Sequence, residues 1–498
     1  MGPGILHAFR GSQQTMRPHS QHRAPTLILG ALVFMAPLLF GAVYPWAYGL
    51  LEIGVLAAFL LCLWRGDRVL SLDNGLPRWG LWCLLAFVAW AGVQLIPLPQ
   101  ELVRLVAQPV HDLWQLDFLP AGLARPRALL PLSLYPYATA STGLLFLCYA
   151  LAFLMAWRLA SPTGGEPVKP GALLLTVVLA GFAVAAVAIV QNGLDARAMY
   201  GFFPPRHGGS FTGPYVNYNH FAGYLEMAIP LGVGVVAFVL RNRLGQSSAP
   251  GLGWLCGGAA IIMMAALFMS RSRGGILAFG VVLLGQLLVI AALLSRSHMK
   301  KRLAFFSLVL VLLLGVGAHM TDWSQTLPRF HRLFHQEAAD SIRWQLYKDV
   351  LHMSNQLPLT GSGLGTFYVG FPPFKTIPRQ GVFRHAHNDF LEVLAETGWP
   401  GLLMFLGFVA WVLARGGGVL RRAMSRRGRG DPELIGGAIL LTGCLGGVVS
   451  LLIHGLVDFN LRIPANALTW FVLCGLVVGL SQAPPAAAPL EQDDAPSG

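Results

Sequence analysis

The chain has 498 residues, of which 55% are hydrophobic and only 11% charged, with a mean hydropathy of +0.60. A soluble protein would carry roughly a quarter charged residues, so this composition excludes a water-soluble enzyme and points to lipid as the surrounding medium. The net charge of +13 does not indicate a nucleic-acid partner, because much of the Lys and Arg falls in short segments between apolar runs, where it sets membrane orientation.

Residues 1–25 are polar and carry Arg10, Arg17 and Arg23; they are expected to form a disordered cytoplasmic terminus. The apolar run that follows lacks a small-residue cleavage site and is succeeded at once by a second run. It therefore reads as an uncleaved signal-anchor helix. From there, apolar runs of membrane length predict about twelve spans, near 27–44, 47–64, 79–97, 138–160, 171–191, 219–240, 251–270, 274–295, 302–319, 398–416, 435–455 and 463–481. Together they make residues 26–481 a single all-α polytopic membrane domain without an internal repeat, followed by a disordered cytoplasmic tail at 482–498. Cys62, Cys83, Cys148, Cys256, Cys444 and Cys474 all lie within apolar runs and lack metal-site spacing; they read as small buried apolar residues.

Placing both termini in the cytoplasm puts the basic clusters Arg296–Arg302 and Arg415–Arg429 inside, as the positive-inside rule requires. The polar segments 98–137, 192–218, 271–273, 320–397 and 456–462 then all fall on the outer side. The 320–397 loop is too long for an idle connector. Within it, Ile342, Leu346, Tyr347, Val350 and Leu351 recur at helical spacing behind a cap at Asp340, which predicts an amphipathic helix on the bilayer or over the bundle. A short helix is expected over Asn388–Thr397, with Phe390, Leu391, Leu394 and Ala395 on one face and Gly398 as its stop. Gly361-Ser362-Gly363-Leu364-Gly365 lacks a preceding strand and a Gly-Lys-Ser/Thr ending, so it reads as a flexible turn rather than a nucleotide loop.

Four polar constellations occupy this outer side. Arg384, His385, His387, Asn388 and Asp389 combine imidazoles able to accept a hydroxyl proton near neutral pH with an amide or carboxylate to orient them; Asn388 alternatively caps a helix. Two histidines without a third ligand make a poor metal site. In Ser270-Arg271-Ser272-Arg273-Gly274-Gly275, two arginines sit where the charge rule disfavours them. Guanidinium forks suit phosphate oxygens, although snorkelling to lipid phosphates would also place them there. Arg206 and His207 precede a Tyr-, Asn- and Thr-rich stretch ending in Asn219 and His220, which suits sugar hydroxyls and equally suits turns. It leads into a span containing Glu226, an acid that needs a partner or a function. His454 to Arg462, including Asp458, either completes the site or turns the chain.

Ser272-Arg273-Gly274, Asn217 to His220, His387-Asn388 with Glu396-Thr397-Gly398-Trp399-Pro400-Gly401, and Asp458-Phe459-Asn460 resemble the O-antigen ligase and polymerase superfamily over residues 200–480. The resemblance implies a GT-C-like, metal-independent, inverting glycosyltransferase of the bacterial inner membrane, with no cofactor. It would take a glycan from undecaprenyl diphosphate on the periplasmic face. The acceptor would be a hydroxyl of a growing glycan, of lipid A-core or of a protein, the last as in related O-oligosaccharyltransferases. His387 would be the general base and Arg273 the residue that holds the leaving diphosphate. Arg206, Arg384 and His385 match less closely. Two other readings fit twelve spans: a transporter or flippase for lipid-linked sugar, and a non-catalytic scaffold.

Overall fold

The computed structural model describes residues 23–65, 78–115, 128–161, 171–194, 198–203, 212–242, 250–294, 337–378, 381–426 and 432–482. These residues form α1 (Arg23–Leu38), α2 (Pro45–Trp64), α3 (Trp79–Val93), α4 (Gln100–Val106), α5 (Gln108–Gln115), α6 (Pro136–Ala160), α7 (Gly171–Gly193) and α8 (Tyr218–Asn242). They continue as α9 (Pro250–Met269), α10 (Arg273–Leu293), α11 (Glu337–Gln356), α12 (Phe367–Gly370), α13 (Asp389–Ser425), α14 (Pro432–His454) and α15 (Pro464–Leu480). The described sheet is one antiparallel pair, β1 (Leu98–Pro99) with β2 (Leu129–Leu130).

The chain is an all-α polytopic membrane protein. Among the described residues, eight helices are long and apolar enough to cross a bilayer, and α1, α3 and α15 are shorter apolar companions. Each coincides with an expected span; the run near 302–319 lies outside the described residues, as do nearly all of the two expected tails. Boundaries differ where local chemistry intervenes. The first span stops at Leu38, because Phe40, Gly41 and Ala42 adopt positive φ before Pro45 starts α2. The third stops at Val93 and gives way to β1, α4 and α5, short elements that the apolar pattern did not reveal.

Helix α15 is the axis of the bundle, buried from Pro464 to Gly479. Gly475 and Gly479 face the backbone of α6 at Phe153 and Trp157, with no room for a Cβ. Gly443 and Gly447 of α14 do the same against Met227, Pro230 and Leu231 of α8, and Gly446 packs on the Pro230 ring. Small residues at such crossings let helices gain close van der Waals contact where lipid supplies no hydrophobic drive. At one end of the bundle, Arg415 and Arg422 donate to Ser481. The opposite end carries the starts of α8, α10, α13 and α15 and the end of α14; the candidate site lies here.

A second, smaller core covers that end. Leu346, Val350 and Met353 of α11 pack with Val103, Val110, Leu130, Phe367, Phe371 and Ala395, so the amphipathic helix lies over the bundle. It begins at Glu337, and Asp340 is inside its first turn rather than at the cap. The 361–365 segment is not a loose turn. Gln94 of the α3 end is fully buried; its amide nitrogen Nε2 donates to the carbonyls of Thr360 and Glu396, and its Oε1 accepts from Leu364 N. Ser362 N and Gly363 N donate to the carbonyls of Ala395 and Glu396.

Helix α13 breaks where the sequence placed a stop. Gly398 has φ 67° and ψ −175°, which separates a short segment, 389–397, from the membrane-crossing remainder. That region of backbone space is nearly closed to side chains, and a Cβ there would lie 2.7 Å from the Leu359 carbonyl. Gly398→Ala is expected to destabilise the protein by roughly 1–3 kcal/mol, read as a lowered thermal transition in detergent.

Candidate functional site

Phe459 sits at the centre. His385 stacks flat on its ring (centroids 4.0 Å apart, planes 11° apart), while His220 and His387 meet it edge-on at 4.6 and 5.0 Å. The adjacent Asp458 is 1% exposed. Its Oδ1 accepts from Phe459 N at 2.8 Å and lies 3.8 Å from both His220 Nε2 and His387 Nδ1. Those separations suit ion pairs and exceed hydrogen-bond length. Burial alone would raise the Asp458 carboxyl, but His220 and His387, with the charge of His454, hold it well below its ordinary value. Asp458 Oδ2, His220 Nε2 and His387 Nδ1 are buried without a hydrogen-bond partner among the described residues.

The Gly455–Asp458 loop joins the two motifs that the sequence keeps far apart. On one side, Asn388 Nδ2 donates to Leu456 O at 2.8 Å, and Asp389 N donates to the carbonyls of Gly455 (2.8 Å) and Asp458 (3.1 Å). On the other, a Cβ on Gly274 would meet His454 Cδ2 at 2.8 Å and Val457 at 3.1 Å. The arginine turn and the His387 turn thus flank one loop. The glycines at 274 and 275 admit His454 and Ala222, so their smallness serves helix packing. Ser272 caps α10 by accepting from Gly275 N and donates to Asn219 Oδ1 at 2.9 Å, tying the arginine turn to the start of α8. Arg271 is exposed and Arg273 half-buried. Glu226 has its partner: Oε1 is 3.1 Å from His454 Nδ1.

Asn388 does cap α13, accepting from Phe390 N and Leu391 N at 3.0 Å. Capping and site geometry coincide there, because His387, the preceding residue, has φ 51°. Arg271 has φ 59°. Left-handed backbone at non-glycine residues is costly and collects at functional sites. Tyr347 of α11 supports the first case, its hydroxyl donating to His387 O at 2.8 Å. Burial raises the Tyr347 hydroxyl, so it remains a donor.

Residues 258–406 match the family model described as O-antigen ligase. This match supports a likeness to the O-antigen ligase and polymerase superfamily, at family level membrane glycan ligases or polymerases. No curated protein matches the chain. The matched segment holds Arg271, Arg273, Arg384, His385, His387 and Asn388; Asn219, His220 and Asp458 lie outside it but fold against it. Arg206 is outside the described residues.

Within the matched segment, Arg384 and His385 part company with His387. They line a cavity of about 450 Å³ together with Glu392, Glu396 and Arg462. The expected apolar face of the short helix is packed, with Leu394 and Ala395 buried and Phe390 and Leu391 against the two cores; the sequence reading missed that Asp389, Glu392 and Glu396 are buried too, each 1% exposed. Arg462 pairs with the two glutamates, its Nε 3.2 Å from Glu392 and its Nη2 2.6 Å from Glu396, while Asp389 accepts from Leu461 N at 3.2 Å. Glu392 also holds His385 Nδ1 (2.9 Å) and Ala386 N (2.8 Å). The missed signal was spacing: acids at 389, 392 and 396 share one helical face, which is unusual beside a membrane. Among the described residues, no group of three His, Cys, Asp or Glu side chains is placed to hold a metal ion.

Two expectations follow. Tyr347→Phe should lower kcat about tenfold with little change in donor KM, because it frees the His387 backbone without removing a substrate contact; steady-state kinetics test this. Asp458 is depressed in the folded state, so its stabilisation is fully present above the ordinary value of 3.8 and is lost as pH falls through the lower folded value. Asp458→Asn should therefore melt lower than wild type at neutral pH, with the gap narrowing below about pH 4; thermal unfolding across that range measures it.

Proposed function

We propose that this protein moves a glycan from an undecaprenyl diphosphate carrier to an acceptor hydroxyl at the periplasmic face of the bacterial inner membrane. The observation that carries the reading is the placement of the Arg271–Arg273 turn and His387 on the two sides of the Gly455–Asp458 loop. Charge counting supports the periplasmic placement, since Arg415 and Arg422 lie at the other end of the bundle.

His387 accepts the acceptor hydroxyl proton at Nε2, while its Nδ1 faces the Asp458 carboxylate at 3.8 Å. A fixed anion on the far side of the ring orients the imidazole and stabilises the imidazolium that forms. The acceptor oxygen bonds the anomeric carbon as the bond from that carbon to the diphosphate oxygen breaks, with inversion. The leaving diphosphate gains negative charge, and Arg273 with Arg271 meets it. Guanidiniums placed there help more in the transition state than in the ground state. Arg206, Asn219, His220 and Asn388 complete the substrate-binding set in this reading.

His387→Ala should reduce transfer by about 10²–10⁴-fold. Arg273→Ala should lower kcat about a hundredfold while changing donor KM much less. The assay uses purified protein in detergent with a polyprenyl-diphosphate glycan and a glycan or lipid A-core acceptor. Detergent leaves no compartment to fill, so transfer there also excludes a purely vectorial role; full transfer by His387→Ala refutes the assignment.

A further inference from the structure

The cavity beside Phe459 differs in chemistry from the arginine turn. Its lining carries two guanidiniums, Arg384 and Arg462, and two carboxylates, Glu392 and Glu396, so their formal charges cancel. The Arg462 charge is spent twice, on Glu392 through Nε and on Glu396 through Nη2. Its third nitrogen, Nη1, is buried with no hydrogen-bond partner among the described residues, and the side chain is 7% exposed. A guanidinium neutralised in this way is a weak anion site.

The remaining walls suit a sugar ring. Phe146, Tyr149 and Tyr368 present aromatic surface, and Thr142 and Tyr368 bring hydroxyls. Apolar faces with a few convergent polar groups, in a volume of about 450 Å³, are what a small-molecule site requires. A diphosphate would find no net positive charge here, whereas the exposed and half-exposed arginines of the 271–273 turn supply it.

Position adds a direction. The His385 ring forms part of the cavity lining and the stack on Phe459, while His387 touches the same phenyl by its edge. The arginine turn lies beyond the Gly455–Asp458 loop. Displacement at an anomeric carbon needs the incoming oxygen opposite the departing one. With the diphosphate at the turn, the acceptor comes from the Phe459 side.

We propose that this cavity is a saccharide subsite that takes a neutral, hydroxyl-rich sugar unit of the acceptor, held by the polar groups of Arg384, Thr142 and Tyr368 and by the aromatic walls. The proposal rests on the transferase reading for the word acceptor, and on the cavity alone for the word saccharide. The two are separable by experiment. Two variants alter the cavity without touching the Arg462 network: Leu145→Trp fills it from the wall, and Tyr368→Ala, at a position 39% exposed, removes aromatic surface.

Full-length protein in nanodiscs is applied to an array of immobilised neutral and acidic bacterial oligosaccharides. Wild type and His387→Ala are expected to retain neutral glycans, and both cavity variants to lose them. In the transfer assay, both cavity variants are expected to raise acceptor KM about tenfold or more with donor KM unchanged. Retention of acidic glycans only, retention of none, or equal retention by the cavity variants overturns the subsite. Glycan binding that the cavity variants abolish, in a wild-type protein that transfers nothing, leaves the subsite standing and overturns the transferase reading. Transfer with an unaltered acceptor KM in both variants does the reverse.

Discussion

The guanidinium of Arg462, buried between two glutamates one helical turn apart, is the interaction on which the outer architecture depends. Through Glu392 it fixes His385 and the backbone at Ala386; through Glu396 it reaches Phe367 N, which that carboxylate accepts at 3.0 Å. It thereby locks the α14–α15 connection, the short helix before Gly398 and the 361–367 segment into one block. Removing one partner of such a buried pair commonly costs about 3–5 kcal/mol, because the remaining charge is stranded. An apolar trio could hold the same elements with less penalty, but it would not leave polar valences facing a cavity.

The division of labour across the bundle follows from solvent. Helices in lipid gain little from hydrophobic burial against each other, so α14, α8, α6 and α15 use glycine contacts and van der Waals packing. The end bearing the site uses directional bonds instead: caps at Ser272 and Asn388, amide bridges from Gln94, and buried ion pairs. Those bonds tolerate strained residues such as His387 and Arg271, since each is held by neighbours that do not depend on its own conformation.

Most of the membrane architecture was legible in the sequence, because an apolar run of about 18–22 residues has few alternatives in a protein of this composition. Gly398 announced the break in α13, and Asn388 its cap. The residues brought together around Asp458 were legible only as separate motifs. Hydropathy carries no information on which loops touch, and the link between them is a four-residue turn after α14. The burial of Glu392 and Glu396 was not legible, because their partner Arg462 lies far along the chain, 66 positions from Glu396. Gln94 left no signal at all; a lone amide at a span end looks like any polar boundary residue.

The shared phenyl ring has a consequence for how the histidines can be studied. His220, His385 and His387 all lean on Phe459, so replacing any one of them removes a support from the other two. Effects of single and double substitutions in this trio will not sum, and the size of their non-additivity measures how rigidly the aromatic hub couples the cavity side of the molecule to the carboxylate side.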